Sequence, residues 1–225
     1  MKIFKYIRSK FAPAHINIGL SIAFALLGLL VRIQLTNSLF YFFLVWNLFL
    51  AGIPFLITEL LKRFHRLQIA KPLMVVSFLL WLLFLPNSPY IITDLIHLNN
   101  KHSYILWLDL FLIFVFALNG LLLGLLSMME MSKILQEKLG RTTTKYILFN
   151  VCLLSGYGIY LGRFLRFNSW DIITQPITLL IKLLESIKDP KVWLFSLLFG
   201  GFIWILFIFF QSVGSSGTSQ KLIKR

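Results

Sequence analysis

The sequence predicts an all-α, polytopic membrane protein of about six transmembrane helices, and three observations lead to this class. Apolar residues make up 58% of the 225 residues and charged residues only 13%, whereas soluble domains average about 45–50% apolar and about 25% charged residues. The apolar residues fall in long runs. The lysines and arginines gather in the short connections between those runs.

Each predicted span approaches the roughly 20 apolar residues that a helix needs to cross a bilayer. The predicted spans are 15–33, 39–58, 69–85, 105–127, 145–162 and 192–211. The first span follows a basic segment, as the apolar part of a signal peptide does. Polar Arg32 and Gln34 come after it instead of a small-residue cleavage site. We therefore expect an uncleaved first span.

The distribution of lysine and arginine predicts the orientation of these spans. Connections 59–71 and 128–145 and both ends of the chain are rich in these residues, whereas the first and third connections hold only Arg32 and Lys101. Because basic loops stay on the cytoplasmic side, both termini are predicted to be cytoplasmic. The fifth connection departs from this rule, since it is basic although predicted to lie outside.

Three segments make up the predicted domain organisation. They are a basic cytoplasmic tail over 1–14, a single helical membrane domain over 15–211 and a flexible basic cytoplasmic tail over 212–225. The net charge of +14 would favour nucleic acid as the partner of a soluble protein, but here the cations set topology. The predicted partner is therefore the lipid bilayer and not nucleic acid. Cys152 is the only cysteine, which excludes an intramolecular disulfide.

A short helix over 89–98 is predicted after the third span. Ser88 suits its N-cap and Pro89 its first helical position. A helix of this length cannot cross a bilayer, so we expect it to lie in the outer interface or to dip into the membrane and return. Its polar side carries Tyr90, Thr93, Asp94 and His97.

A second helix, over 171–187, is predicted to lie on the outer membrane surface. Its apolar residues recur at steps of three and four, which is typical of an amphipathic helix. Pro176 predicts a bend or restart near its beginning. The recurring apolar residues are Ile173, Ile177, Leu180, Leu184 and Ile187.

Two polar segments, 86–97 and 162–171, fall on the same predicted outer face, and Asp109 lies about one turn inside the fourth span. Ionisable groups at such depth are costly and usually face the bundle interior with a partner. The candidate catalytic residues are Asp94, His97 and Asp109. The candidate substrate-binding residues are Asn87, Tyr90, Thr93, Arg163, Arg166, Asn168, Trp170 and Asp171.

Two functional interpretations fit these residues. Arg163 and Arg166, three positions apart, form a fork for a phosphate or carboxylate, with Asp94 or His97 as general acid or base. Alternatively, Asp94 and His97, with Asp109 or Asp171 completing the set, bind a divalent metal ion, because imidazole and carboxylate are usual metal ligands. The metal is the less favoured cofactor interpretation, since Asp-x-x-His spacing is common by chance.

A structural interpretation stands beside the functional ones. Arginines near a membrane boundary commonly pair with aspartates, and such pairs cancel the charge of both groups. Asp171 follows Asn168 at the spacing of a capping box, which predicts a role in local folding. Under this interpretation the polar segments hold the bundle together.

Two stretches resemble the signatures of a known family. They are Leu85-Pro-Asn-Ser-Pro-Tyr-Ile-Ile-Thr-Asp-Leu-Ile-His-Leu98 and Gly162-Arg-Phe-Leu-Arg-Phe-Asn-Ser-Trp-Asp171. The family is that of uncharacterised bacterial membrane proteins grouped as domain of unknown function 1361, and the resemblance covers roughly residues 40–212. It implies a multi-span protein of the bacterial plasma or inner membrane. It implies no activity, substrate or cofactor.

The leading functional hypothesis is a polar site at the outer membrane face that binds or processes an anionic lipid or another envelope-related substrate. The alternative is a non-enzymatic membrane scaffold or partner subunit whose Asp/Arg clusters are structural ion pairs. Enzyme and non-enzyme both fit the sequence, and protein partners are not specified by it.

Overall fold

The computed structural model describes residues 13–99 and 105–222, and the part of the chain that it describes is helical without a β-strand. The α-helices are α1 (Pro13–Thr36), α2 (Phe43–Arg63), α3 (His65–Ile69), α4 (Lys71–Phe84), α5 (Asn87–Tyr90), α6 (Leu106–Leu139), α7 (Arg141–Phe164), α8 (Asp171–Thr174), α9 (Pro176–Ser186) and α10 (Pro190–Leu222). Two 3₁₀ helices cover Phe40–Phe42 and Ile91–Asn99; the second is called the 91–99 helix below.

The prediction of a six-span helical membrane protein is confirmed. Within the described residues, six helical segments are long and apolar enough to cross a membrane. They are Ile16–Thr36, Phe40–Arg63, Lys71–Leu98, Leu106–Leu139, Arg141–Phe164 and Pro190–Val213. The many exposed leucines, phenylalanines and valines on these helices suit lipid contact, because hydrocarbon is as apolar as they are.

The apolar helical segment of the third span extends over Lys71–Leu98, but a turn at Leu85 and Pro86 divides it. The short helix predicted over 89–98 is therefore present, as α5 and the 91–99 helix. The chain turns at Pro86 and continues through α5 into the 91–99 helix. The Ser88 hydroxyl caps no helix and donates to the Ala51 carbonyl oxygen at 3.0 Å. A buried hydroxyl needs an acceptor, and the neighbouring helix α2 provides one.

Helix α6 is the centre of the bundle. In its apolar 18-residue stretch 61% of the residues are buried inside the protein, whereas the corresponding stretches of the other spans are 17–33% buried. It packs against α1, α2, α5, the 91–99 helix, α7 and α10. Gly120 and Gly124 let α5 approach closely, because a Cβ atom would lie 2.8 Å from the Ser88 carbonyl oxygen at Gly120 and 2.6 Å from the Ser88 Cβ at Gly124. Ser88 and its neighbours are therefore held deep between α2 and α6.

The connection between α7 and α10 contains the predicted surface helix, divided into two shorter helices. Helix α8 ends at Thr174, the chain bends at Gln175, and α9 begins at Pro176. The apolar residues on this connection are largely exposed; Ile173 is 82% and Ile177 73% exposed. An exposed apolar face beside transmembrane helices is typical of a helix lying in the membrane interface.

The two ends of the chain are predicted to be basic tails, and the structure describes mainly the C-terminal one. The backbone of α10 stays helical to Leu222, although a flexible tail is predicted from residue 212. The segment contains no proline, and helix propagation adds one hydrogen bond for each further residue. The predicted tail over 1–14 lies outside the described residues except for Pro13 and Ala14. The predicted domain limits and membrane orientation stay predictions.

Two ends of the bundle are distinguished below. The motif side is the end at which α1 stops at Thr36, the 91–99 helix stops and α7 stops at Phe164. The basic side is the opposite end, where α2 stops at Arg63 and α7 begins at Arg141.

Candidate functional site

Asp94 is almost fully buried, at 1% exposure, and two side chains donate hydrogen bonds to its carboxylate. Asn47 of α2 donates its Nδ2 to Oδ2 at 2.8 Å, and Arg163 of α7 donates its Nη1 to Oδ1 at 3.2 Å. The same guanidinium donates to the Thr93 carbonyl oxygen and lies over the Tyr90 ring, 5.7 Å from its centroid. Arg163 therefore joins the end of α7 to the 91–99 helix.

His97 lies beside this ion pair in an aromatic surround. Its Nε2 is 3.5 Å from the Arg163 Nη1. The Phe43 and Phe40 rings meet the imidazole edge-on, with centroids at 5.2 Å and 6.3 Å. Because a 3₁₀ helix has three residues per turn, Asp94 and His97 share one side of the 91–99 helix. The prediction that they share a face is confirmed.

Asp109 belongs to a second, separate ion pair. The Arg32 Nε donates to Asp109 Oδ1 at 3.0 Å, and both side chains are buried. Arg32 also donates to the Ser38 carbonyl oxygen at 3.0 Å and lies over the Tyr41 ring at 4.6 Å. Arg32 was not among the predicted site residues. Its place within an apolar run could have identified it, since a charge there needs a partner.

The structure does not assemble the predicted metal ligands. The described residues contain no group of three or more His, Cys, Asp or Glu side chains that could hold a metal ion. Asp94 and Asp109 each bind a different arginine, because each buried carboxylate is stabilised by a nearby cation. The proposed set of Asp94, His97 and Asp109 is therefore not brought together.

Arg163 and Arg166 do not form the predicted fork. Arg163 is turned into the bundle, whereas Arg166 lies beyond the end of α7 with an exposed side chain. Its φ of 59° places it in the left-handed region, which non-glycine residues rarely adopt. No hydrogen bond or ion pair joins its side chain to the described residues.

The segment after Arg166 folds around Asp171. Its carboxylate accepts the Asn168 backbone N–H at 2.6 Å and the Thr174 hydroxyl at 3.0 Å. Asp171 therefore stabilises this turn, although Trp170 and not Asn168 is the N-cap of α8. The Trp170 ring contacts the Trp46 ring, with centroids 6.2 Å apart, so this loop also packs on α2.

Asn87 and Ser169 form a second link between the two sequence motifs. The Asn87 Nδ2 donates to the Phe84 carbonyl oxygen at 2.9 Å and to the Ser169 hydroxyl at 3.1 Å. Ser169 donates in turn to the Leu83 carbonyl oxygen at 3.2 Å. Ser169 was not among the predicted site residues, although it lies inside the second motif.

A cavity of about 180 Å³ lies where these segments meet. It opens between α2, α5, α7 and the loop before α8, and Ile172 and Leu179 form part of its wall. Gly158 and Gly162 also line it, and they let α7 approach the third span closely, because a Cβ atom would lie 2.7 Å from the Pro86 Cγ at Gly158 and 3.1 Å from the Tyr90 Cε2 at Gly162. Its polar lining residues carry no formal charge; they are Asn47, Asn87, Tyr90, Asn168 and Ser169. The Asp94–Arg163 pair lies behind this wall, since Asn47 and Tyr90 touch both the cavity and the pair.

The fold and site together define a polytopic α-helical membrane protein whose two polar motifs join at one end of the bundle beside a small amphipathic cavity. The family model described as Protein of unknown function (DUF1361) matches residues 46–206, and the chain belongs to this family. This match confirms the family resemblance of the two motifs. No curated protein and no solved structure matches the chain.

Proposed function

We propose that this protein binds an anionic lipid, or a lipid-linked envelope substrate, in the cavity on the motif side. The observation that carries the proposal is the composition of the cavity wall. Uncharged hydrogen-bonding groups face apolar side chains such as Trp46 and Leu179. This combination suits an amphiphile, whose polar head needs donors and acceptors while its chain needs an apolar wall.

Position within the membrane supports a lipid as the ligand. The cavity lies near the beginning of α2 and the end of α7, and the connection between α7 and α10 supplies Ile172 and Leu179. Its volume of about 180 Å³ is below the roughly 300–1,000 Å³ of drug-sized sites, so it suits one headgroup or chain segment. By the positive-inside rule this end is the outer face of a bacterial cell membrane.

Arg166 is the cation that we assign to the anionic group. It lies in the chain directly before Phe167 and two residues before Asn168, which both line the cavity. Its left-handed backbone costs about 1–2 kcal/mol relative to the right-handed one. The left-handed residue ends α7, with the Phe167 backbone N–H donating to the Leu161 carbonyl oxygen at 3.1 Å. The assignment of Arg166 therefore rests on its exposed charge beside the cavity.

The geometry supports binding more than catalysis. Neither Asp94 nor His97 lines the cavity, and Asp94 is bound on both carboxylate oxygens. A general acid or base must come within hydrogen-bond reach of the reacting group. We therefore assign Asp94 and His97 to the support of the cavity wall, and Asp109 to the separate ion pair with Arg32.

The test is the lipid that the purified protein retains. Asn168→Trp should block the cavity, because the Asn168 side chain has no described hydrogen bond to lose and indole is much larger. Gln34→Trp, on an exposed position of α1, is the matched control. We expect mass spectrometry of retained lipids to show an anionic species enriched over the bulk membrane, with less of it per protein in N168W than in the unaltered protein and no decrease in Q34W. The same amount of anionic lipid per protein in all three would overturn the proposal.

A scaffold or partner subunit is the second candidate, and one observation favours it. Arg32 and Arg163 each pair with a buried aspartate, as expected if polar groups only fix helix positions. Under this function Arg166→Ala changes neither stability nor lipid retention, because Arg166 is exposed. Loss of the retained anionic lipid in R166A at unchanged stability would favour lipid binding instead.

A further inference from the structure

A larger cavity, of about 650 Å³, lies at the opposite end of the bundle from the cavity of the proposed function. It is formed by the end of α6, the beginning of α7 and the later part of α10 on the basic side. Its volume falls within the roughly 300–1,000 Å³ typical of small-molecule sites. The residues that matter for its chemistry are Gln136, Arg141, Lys145, Trp204, Phe207 and Gln211.

Two cations face this cavity without a counter-charge. Arg141 and Lys145 are four residues apart on α7, which places them on one side of the helix. No Asp or Glu lines the cavity, and no ion pair within the described residues involves either side chain. On the same side of the bundle Lys62 and Lys133 pair with Glu59 and Glu130. The two positive charges of the cavity are therefore not compensated, whereas the lysines on the neighbouring surface are paired with glutamates.

Hydrogen-bonding and apolar groups occupy different parts of the wall. Gln136 and Gln211 add amide groups near the cations, and Gln136 is already oriented by its bond to Ser132 at 2.8 Å. The Trp204 and Phe207 rings of α10 are in contact, with centroids 5.7 Å apart and planes tilted by 31°, and they line the part that continues into the membrane span. Charge at one end and aromatic rings at the other match a phosphate headgroup joined to acyl chains.

We propose that this cavity binds an anionic phospholipid, with its phosphate at Arg141 and Lys145 and its first acyl carbons along Trp204 and Phe207. Arginine and lysine are the residues that bind phosphate in proteins, and basic pockets between membrane helices suit anionic headgroups. The site does not depend on the function proposed for the motif side, because the two cavities share no lining residue.

Fluorescence quenching in lipid nanodiscs tests this site on the full chain. Dibrominated phosphatidylglycerol or dibrominated phosphatidylcholine is added to nanodiscs, and the signal of a Trp204→Phe variant is subtracted to isolate Trp204. We expect the anionic lipid to quench Trp204 at lower mole fraction than the zwitterionic lipid. Each cation should contribute roughly fivefold to this preference.

The double variant Arg141→Gln/Lys145→Gln should lose the preference, whereas Arg63→Gln/Arg66→Gln should keep it. The control removes the same charge from exposed positions on the basic side that do not line the cavity. Equal quenching by both lipids in the unaltered protein, or a preference that survives in R141Q/K145Q, would overturn the proposal. Displacement of the brominated anionic lipid by inorganic phosphate would assign the site to a soluble phosphate compound and also overturn it.

Discussion

The Arg163 guanidinium lies 3.2 Å from the Asp94 carboxylate and joins the two polar motifs inside the bundle. The two residues are 69 positions apart in the chain, so the contact fixes the fifth span against the end of the third. Asn47 adds a second donor to the same carboxylate. Three helices thus meet at one buried charge.

Removing Arg163 should destabilise the protein strongly. Arg163→Ala leaves the Asp94 carboxylate buried without its cation, and breaking a buried pair in this way costs about 3–5 kcal/mol. The measurement is thermal unfolding in detergent followed by size-exclusion chromatography. The charge-swapped variant Asp94→Arg/Arg163→Asp should recover part of the stability. An R163A protein as stable as the unaltered one would contradict a structural role of the pair.

The two ion pairs should act independently. Arg32→Ala should also destabilise, because Asp109 is then left buried alone. Since the pairs share no described partner, the combined variant R32A/R163A should lose the sum of the single losses within about 0.5 kcal/mol. Denaturant unfolding of the unaltered protein, the two single variants and the double variant gives the free energies of a double-mutant cycle. A larger coupling would show that the pairs form one network.

Gly124 should tolerate no side chain. Gly124→Ala places a Cβ 2.6 Å from the Ser88 Cβ, and overpacking of this kind costs about 1–3 kcal/mol. Gly52→Ala is the control, since nothing lies within 4 Å of its added Cβ. It should be neutral or stabilising, because alanine is the better helix former. Equal midpoints of thermal unfolding for both variants would contradict the close packing of α5 on α6.

Arg166 should separate stability from binding. Arg166→Gly relieves the left-handed backbone and should raise the free energy of unfolding by roughly 0.5–1 kcal/mol, less than the full strain because glycine is more flexible when unfolded. The same variant should lose the anionic lipid, whereas Arg166→Lys should keep most of it. Retained-lipid mass spectrometry and unfolding are measured on the same preparations. An Arg166→Gly protein that retains as much anionic lipid as the unaltered protein would show that Arg166 does not belong to the site.

The orientation of the bundle is tested by cysteine labelling in a Cys152→Ala background. Leu39→Cys lies at an exposed position on the motif side, and Thr143→Cys at an exposed position on the basic side. A membrane-impermeant maleimide should label L39C in intact cells and T143C only after lysis. The reverse pattern would place the motif side in the cytoplasm.

The class of fold could be predicted from sequence because hydropathy is a local property. The apolar runs identify each span, and the polar residues from Asn87 to His97 identify the site segment without any structure. The depth of the segment after Pro86 could not be predicted, because Pro86 shows only that the chain turns, whereas the packing of Ser88 and Ile91 against α6 decides where the following residues lie.

The pairing of charges was the harder part of the site to predict. Sequence places Asp94, Asp109 and Arg163 near one membrane face, but it does not give the direction in which each side chain points. Asp109 pairs with Arg32 because α1 packs on α6, a choice made by helix packing. The cavity is likewise a property of several helices together, so its uncharged lining has no signature in any single stretch.

The Asp94 contacts also bear on how the chain is inserted during synthesis. The third span leaves the ribosome before the fifth, so Asp94 enters the bilayer when Arg163 has not yet been made. Asn47, on the preceding span, is already in place and can hold the carboxyl group during that interval. Arrival of α7 then brings Arg163 and completes the contacts of the carboxylate.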